Sequence, residues 1–437
     1  MNSIRKLNIS GVTRALLYVL IFFQPFNHFN SFREISFYAL LAVFLVRIFK
    51  GEIKNIAFSD KTIIALSMLV GWSLFVSLAG PFYADSLNAI RKNLLKEVVI
   101  FLVIIAEFKS VRDLKPLFWI VVSSFAALTA ASLVENVIKD PETFYSLLPA
   151  VSWRSVSTYF YAGYANKTTF YLPFIAAWLI SINELSYKKR IGTITLFAGS
   201  VLCYIYDART ALLAITIAFF VILLLSKKYK IVIVFIIAAI LCVSIMVNSK
   251  DDRFTRYTSL IKAETYITDE WSGLNGRLGI WQVTLSVIKE RPLIGYGYGW
   301  KKIAWVLKEM IDADDKFWDG TFPSAYRYFV EGTKLSYGRV NPHNLLLQIV
   351  FEIGLVGLVL FLWLWSTLIM KIVNTIKSAG TTEAKNFMLC SFGLLLSYIL
   401  INLTNGFWQE SYGMMMFLFM ALIFVIHREA EITTEEH

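Results

Sequence analysis

Apolar stretches long enough to cross a bilayer recur from one end of this chain to the other, and they restrict the fold to helices. Runs such as "ALLYVLIFFQPF" (15–26) and "NLLLQIVFEIGLVGLVLFLWLW" (344–365) are continuously apolar, where a membrane barrel would alternate. Backbone groups in lipid must be hydrogen-bonded within their own segment, which a helix achieves alone. A hydrophobic content of 57% and a mean hydropathy of +0.61 place the chain among polytopic membrane proteins. The first run has no small-residue cleavage site and opens a series, so it is expected to be retained as a span.

Twelve spans are expected, near 13–27, 35–49, 62–80, 94–107, 116–136, 166–184, 191–207, 209–226, 231–248, 343–370, 386–403 and 411–427. The segments near 35–49 and 94–107 are the shortest. The chain thus divides into nine spans (1–248), a large loop (249–342), and three spans with a tail (343–437). Alternate connections hold Arg47, Lys50, Lys54 and Lys61; Lys109, Arg112 and Lys115; Lys188, Lys189 and Arg190; Lys227, Lys228 and Lys230; and Lys371, Lys377 and Lys385. With Arg5, Lys6, Arg14 and Arg428 these make 20 of the 42 Lys and Arg residues. Cytoplasmic loops collect such charge, so both termini are expected in the cytoplasm. The net charge of +11 is then a topology signal, and no nucleic-acid partner is needed to explain it. Cys203, Cys242 and Cys390 lie inside apolar runs, without CxxC or Cys/His clustering, so neither a zinc site nor disulfide staples are expected.

The large loop carries 14 Lys and Arg against 12 Asp and Glu, and loops of this length without a role are uncommon. At its end comes "VNPHNLLLQIVFEIGLVG" (340–357), where a polar cluster runs straight into a span. Asn341 is a good N-cap, Pro342 suits the first helical position, and His343 then falls in the opening turn. The helix dipole would disfavour an imidazolium there, and free N–H groups could hold an anion together with Asn341 and Asn344. An ordinary interfacial histidine is the plainer alternative. Gly354 and Gly357 share the face of His343 and read as packing positions. Glu352 points the other way; a carboxylate two turns into a span is expensive and is expected to be paired or near a cavity.

In "YDARTALLAIT" (206–216), Asp207 and Arg209 join two runs almost without a loop. Arg209 offers a planar fork for phosphate oxygens, or else snorkels to headgroups. In "NGRLGIWQVTLSVIKERPLIGYGYGW", Leu278, Trp281, Leu285 and Ile288 recur at helical spacing and predict an amphipathic helix near the membrane surface. Arg277 would sit at its N-terminal end, suited to an anion, and Arg291 at its C-terminal end, where a cation complements the dipole. The "GYGYG" that follows reads as a turn. Arg154 and Lys167, among tyrosines in "WRSVSTYFYAGYANKTTFYLPF", could line a site for sugar and phosphate, or belong to an ordinary tyrosine belt. No Walker, HExxH, GxSxG or Asp-x-Asp pattern is suitably placed, so no cofactor or metal is indicated and any donor must arrive activated.

"ARTALLA", then "GRLGIWQ…ERPLIGYGYG", then "NPHNLLLQIVFEIGLVG", arranged around one large external loop, resembles the O-antigen ligase and O-antigen polymerase superfamily. The resemblance implies an all-α, GT-C-type glycosyltransferase of the bacterial inner membrane, working on the periplasmic face without metal. It implies a glycan donor on undecaprenyl diphosphate. In the ligase the acceptor is a sugar hydroxyl of lipid A–core; in the polymerase it is a second lipid-linked repeat unit. It implies His343 as the base activating the acceptor, with Arg209 and Arg277 on the diphosphate. The spacing from His343 to Gly354 and the closely placed Arg209 resemble the ligase more. A transporter would instead show repeated halves or charges deep in several spans, and no repeat is found.

Overall fold

The computed structural model describes residues 9–26, 28–53, 56, 58–139, 163–206, 208–248, 274–313, 329, 341–378, 381–406 and 408–435. Arg154, Asp207, the side chain of Cys242 and much of the 249–342 loop lie outside them. The described residues form helices and connections, with no strand among them.

Each apolar run lies on a helix, with ends differing by a few residues. These helices are α1 (Ile9–Phe23), α2 (Asn30–Phe49), α3 (Lys61–Ala79), α5 (Leu95–Glu107), α6 (Val111–Lys139), α7 (Tyr164–Ser181), α8 (Ser186–Ile205), α9 (Arg209–Leu225), α10 (Tyr229–Asn248), α13 (Leu345–Ser378), α14 (Thr382–Asn402) and α15 (Glu410–Glu435). A short α4 (Tyr83–Ala89) precedes α5, and the long loop contributes α11 (Leu274–Glu290) and α12 (Ile303–Ala313). Five helices are long and apolar enough to cross a membrane by length and composition: α3, α6, α13, α14 and α15. The protein is an all-helical membrane protein.

The last helix is the central post. Its segment Tyr412–Ile432 is 89% buried, because it is apolar all round and packs against several neighbours at once. Near its C-terminus Arg428 donates to the carbonyls of Ile105 (3.0 Å) and Phe108 (2.6 Å), and Glu429 accepts from the Val111 N–H. At this same end the Glu107 carboxylate, 1% exposed, pairs with Arg47 and Arg14 and accepts from Ser10. Asp60 caps α3 by accepting the Thr62 N–H (2.7 Å) and pairs with Lys371 (2.7 Å). Lys115 pairs with Glu383 (3.2 Å). The helix ends that hold the basic residues singled out in the sequence therefore meet at one end of the bundle. Cys203 and Cys390 are buried and free.

Candidate active site at a broken helix

At the opposite end, α13 is not continuous. Gly354 has φ 71° and ψ −179°, a backbone region that only glycine enters readily, so a nine-residue segment, 345–353, is set off from the rest. A Cβ on Gly354 would overlap the Leu293 carbonyl. The break frees backbone groups that must find partners in an apolar setting. The segment 291–299, "RPLIGYGYG", supplies them. Tyr296 N–H donates to the Phe351 carbonyl (2.9 Å) and Gly297 N–H to that of Glu352 (2.8 Å), while Leu355 N–H donates to the Pro292 carbonyl (2.8 Å). Trp72 Nε1 takes the Ile353 carbonyl (2.8 Å). Gly295, at φ 66°, allows the approach, since a Cβ would meet the Phe351 and Glu352 carbonyls at 2.7 Å. The expectation that Gly354 serves packing is thus corrected: it breaks the helix. The "GYGYG" turn is the wedge that fills the break.

Glu352 is the hub beneath the wedge. It is fully buried, and its oxygens accept from Gly299 N–H (2.6 Å), Gln348 Nε2 (2.8 Å), Trp408 Nε1 (3.3 Å) and Gln409 Nε2 (2.5 Å). The expected pairing of this carboxylate is found, with neutral donors. Lys302 approaches the same region, with its Nζ donating to Ser86 Oγ (2.6 Å) and the Tyr298 carbonyl (2.9 Å).

His343 lies just before the short segment. The helix begins at Leu345 and the cap is Asn344, whose Oδ1 accepts the Leu347 N–H (3.1 Å) while its Nδ2 donates to the Leu403 carbonyl (3.2 Å). Asn341 and Pro342 therefore do not open the helix as expected. Asn341 Oδ1 instead accepts the His343 N–H (2.8 Å), a local turn that holds His343 at φ 49°. The turn competes with helix because the short Asn side chain satisfies the backbone by itself. His343 is biased towards the neutral form, but not chiefly through the dipole. Burial, then the Arg277 guanidinium, bring its pKa down to about 4, against an Asn405 hydrogen bond that favours the charged form. Trp281 Nε1 donates to the His343 carbonyl (3.3 Å).

The structure thus brings Arg277, in the first turns of α11, to His343. Arg209 opens α9, which runs antiparallel to α14: Ser226 lies beside Cys390 and Ile222 beside Gly393. That packing carries Arg209 to the same end of the bundle as His343. Arg291 follows α11 with its guanidinium over the Tyr296 ring (5.6 Å), in keeping with a helix-terminal cation. Lys167 is buried in α7 and donates to the Pro25 carbonyl (2.6 Å). Helix α11 buries Ile280, Val283, Val287 and Ile288 against the protein, and leaves Leu278 and Leu285, of the stripe expected to meet the membrane surface, 41% and 44% exposed. The helix docks on Val350 and Phe351 and on the wedge, so protein contacts set its register.

Several residues escaped the sequence reading: Asn405, Trp408, Gln409 and Gln348, together with Glu97. The polar density of "LTNGFWQE" between two spans was the available signal for the first three. Glu97 is fully buried in α5 near Gly413, and neither carboxylate oxygen is hydrogen-bonded.

Residues 194–362 match the family described as O-antigen ligase, a span that holds Arg209, Arg277, the wedge and His343. Over this stretch the chain is similar to the O-antigen ligase family. Proteins provisionally named polysaccharide ligases are similar to it. One from Rickettsia typhi is 27% identical over 242 residues, covering 54% of this chain and 52% of its own length. One from Rickettsia conorii is 29% identical over 166 residues, or 37% and 34%. One from Rickettsia prowazekii is 30% identical over 149 residues, or 34% and 31%. The chain therefore spans about half or less of the length of these relatives.

Proposed function

We propose that this protein is an O-antigen ligase. It transfers a glycan from undecaprenyl diphosphate to a sugar hydroxyl of lipid A–core, at the periplasmic face of the bacterial inner membrane and without metal or cofactor. The observation that carries this reading is the neutral imidazole of His343 held beside the Arg277 guanidinium at one end of the bundle. His343 accepts the proton of the acceptor hydroxyl as that oxygen attacks the anomeric carbon, and the bond to the diphosphate breaks. General-base help of this kind contributes about 10²–10⁴-fold. Arg277, with Arg209, binds the diphosphate and stabilises the charge it carries away. The pairing has a useful electrostatic consequence. A bound diphosphate offsets the Arg277 charge, which raises the proton affinity of His343 only once the donor is in place. Asn341 and Asn344 hold the turn and the helix start that present His343 to the acceptor. In this reading the chain has twelve spans of GT-C type, both termini are cytoplasmic, and this end faces the periplasm.

The test is a gel of lipopolysaccharide and of lipid-linked glycan from cells lacking the gene. The expected result is core lipid without repeats while long lipid-linked chains accumulate. Core bearing a single repeat, with no long chains anywhere, makes the protein an O-antigen polymerase instead.

A further inference from the structure

We infer that Glu352 is a positioning residue: by locking the wedge 291–299 and the 408–409 connection onto the short helix 345–353, it fixes His343 relative to Arg277. The inference rests on the role proposed above for His343 and extends it to a residue nine positions further along the chain.

Three pieces of chain meet on this one carboxylate. The wedge contributes Gly299 N–H, the helix contributes Gln348, and the connection before α15 contributes Trp408 and Gln409. All four partners are donors and none is a cation, which explains why an acid stands here. A glutamine of the same shape would turn its own NH2 towards a donor and leave one of them unsatisfied in a dry site. Each clamped piece leads to the imidazole. The wedge follows α11 directly, and Tyr296 binds it to both helices, its ring on Phe351 (5.2 Å) and its hydroxyl on the Val287 carbonyl (3.1 Å). Helix α11 carries Arg277, and Trp281 from the same helix holds the His343 carbonyl. The connection that carries Trp408 and Gln409 also carries Asn405, which bonds the imidazole.

The lever is long. Nine helical residues span about 14 Å, so a tilt of about 4° at the break moves the far end by about 1 Å. A misplacement of that size can cost about 10²-fold in rate. Binding of the lipid donor, which depends on the arginines, is affected less than the chemical step.

The test uses the full-length protein in proteoliposomes, with undecaprenyl-diphosphate-linked glycan as donor and lipid A–core as acceptor. Glu352→Gln is expected to lower kcat by roughly 10–100-fold with donor KM nearly unchanged. The acid limb of the kcat/KM profile for the donor, which reports the free enzyme, is expected to move up from near 4 towards 6.5, as the imidazole gains water and loses its fixed distance from Arg277, the charged group facing it from α11. Gln409→Leu removes a single donor and should show both effects in weaker form; it decides the matter if Glu352→Gln fails to fold. Wild-type kcat, or a lower kcat with an unmoved limb, overturns the inference. His343→Ala in the same vesicles separates the two readings. If it abolishes transfer while Glu352→Gln is unimpaired, only the positioning role falls; if it transfers normally, the function proposed above falls with it.

Discussion

Glu107 and Glu352 are buried carboxylates at opposite ends of the bundle, and they are held in opposite ways. Glu107 is neutralised by two arginines from α1 and α2. Glu352 has four neutral N–H donors and no ion pair among the described residues. An ion pair is strong but tolerant of angle, so the Glu107 end is tied without being finely aimed. Hydrogen bonds to a buried carboxylate demand direction from each donor, so the Glu352 end fixes backbone positions. The difference sorts the molecule into an anchoring end and an aimed end. The groups suited to chemistry, His343 and Arg277, lie at the aimed one.

The largest test of that division is His343→Ala. It should reduce glycan transfer by about 10²–10⁴-fold, read as initial rate in proteoliposomes, with the thermal midpoint little changed. In the wild type kcat/KM for the donor should hold as pH falls from 7 and be lost only near 4, because His343 of the free enzyme stays neutral above that value. The linked effect on stability has the same sign. The folded pKa lies below the ordinary 6.5, so the unfolded chain binds this proton first, and stability falls as pH drops from 6.5 to 4.

Next is Glu107→Ala, which leaves buried Arg47 with only its longer pair to the part-exposed Glu52 (3.4 Å). It should destabilise by about 3 kcal/mol, measured by unfolding in detergent, while kcat of the folded fraction stays at the wild-type value. A lowered kcat would break the comparison, since the anchoring end would then also aim.

Gly354→Ala acts at the break. It should cost about 1–3 kcal/mol for the backbone alone, and more because the Leu293 carbonyl must move. The wedge should loosen with it, seen as faster proteolysis within 291–299 and lower transfer. The smallest effect is expected for Asp60→Asn, which keeps the cap on Thr62 but loses the Lys371 pair. About 1 kcal/mol or less of stability should go, with transfer unaffected.

Much of this was legible in the residues. Continuous apolar runs marked the helices, since the need to satisfy backbone groups in lipid leaves little freedom. Basic clusters marked the helix ends that meet around Glu107. His343, Arg209 and Arg277 stood out because charged or ionisable groups beside apolar runs are costly unless used. The inward face of α11, with Ile280, Val283 and Val287, was not legible because its partners lie some 70 residues away at Val350 and Phe351. The cap was misplaced because two asparagines flank His343, and local spacing does not say which one turns the chain and which one starts the helix.

The sequence by itself determined the helical class and the polar end with its histidine and arginines, because those depend on hydropathy and short motifs. Only the tertiary structure decided that Gly354 breaks its helix, that "RPLIGYGYG" fills the break, and that Glu352 joins three segments beneath His343. The reason is physical. A freed carbonyl or a buried carboxylate in an apolar setting must find donors, and which distant segment supplies them is settled by packing rather than by spacing along the chain.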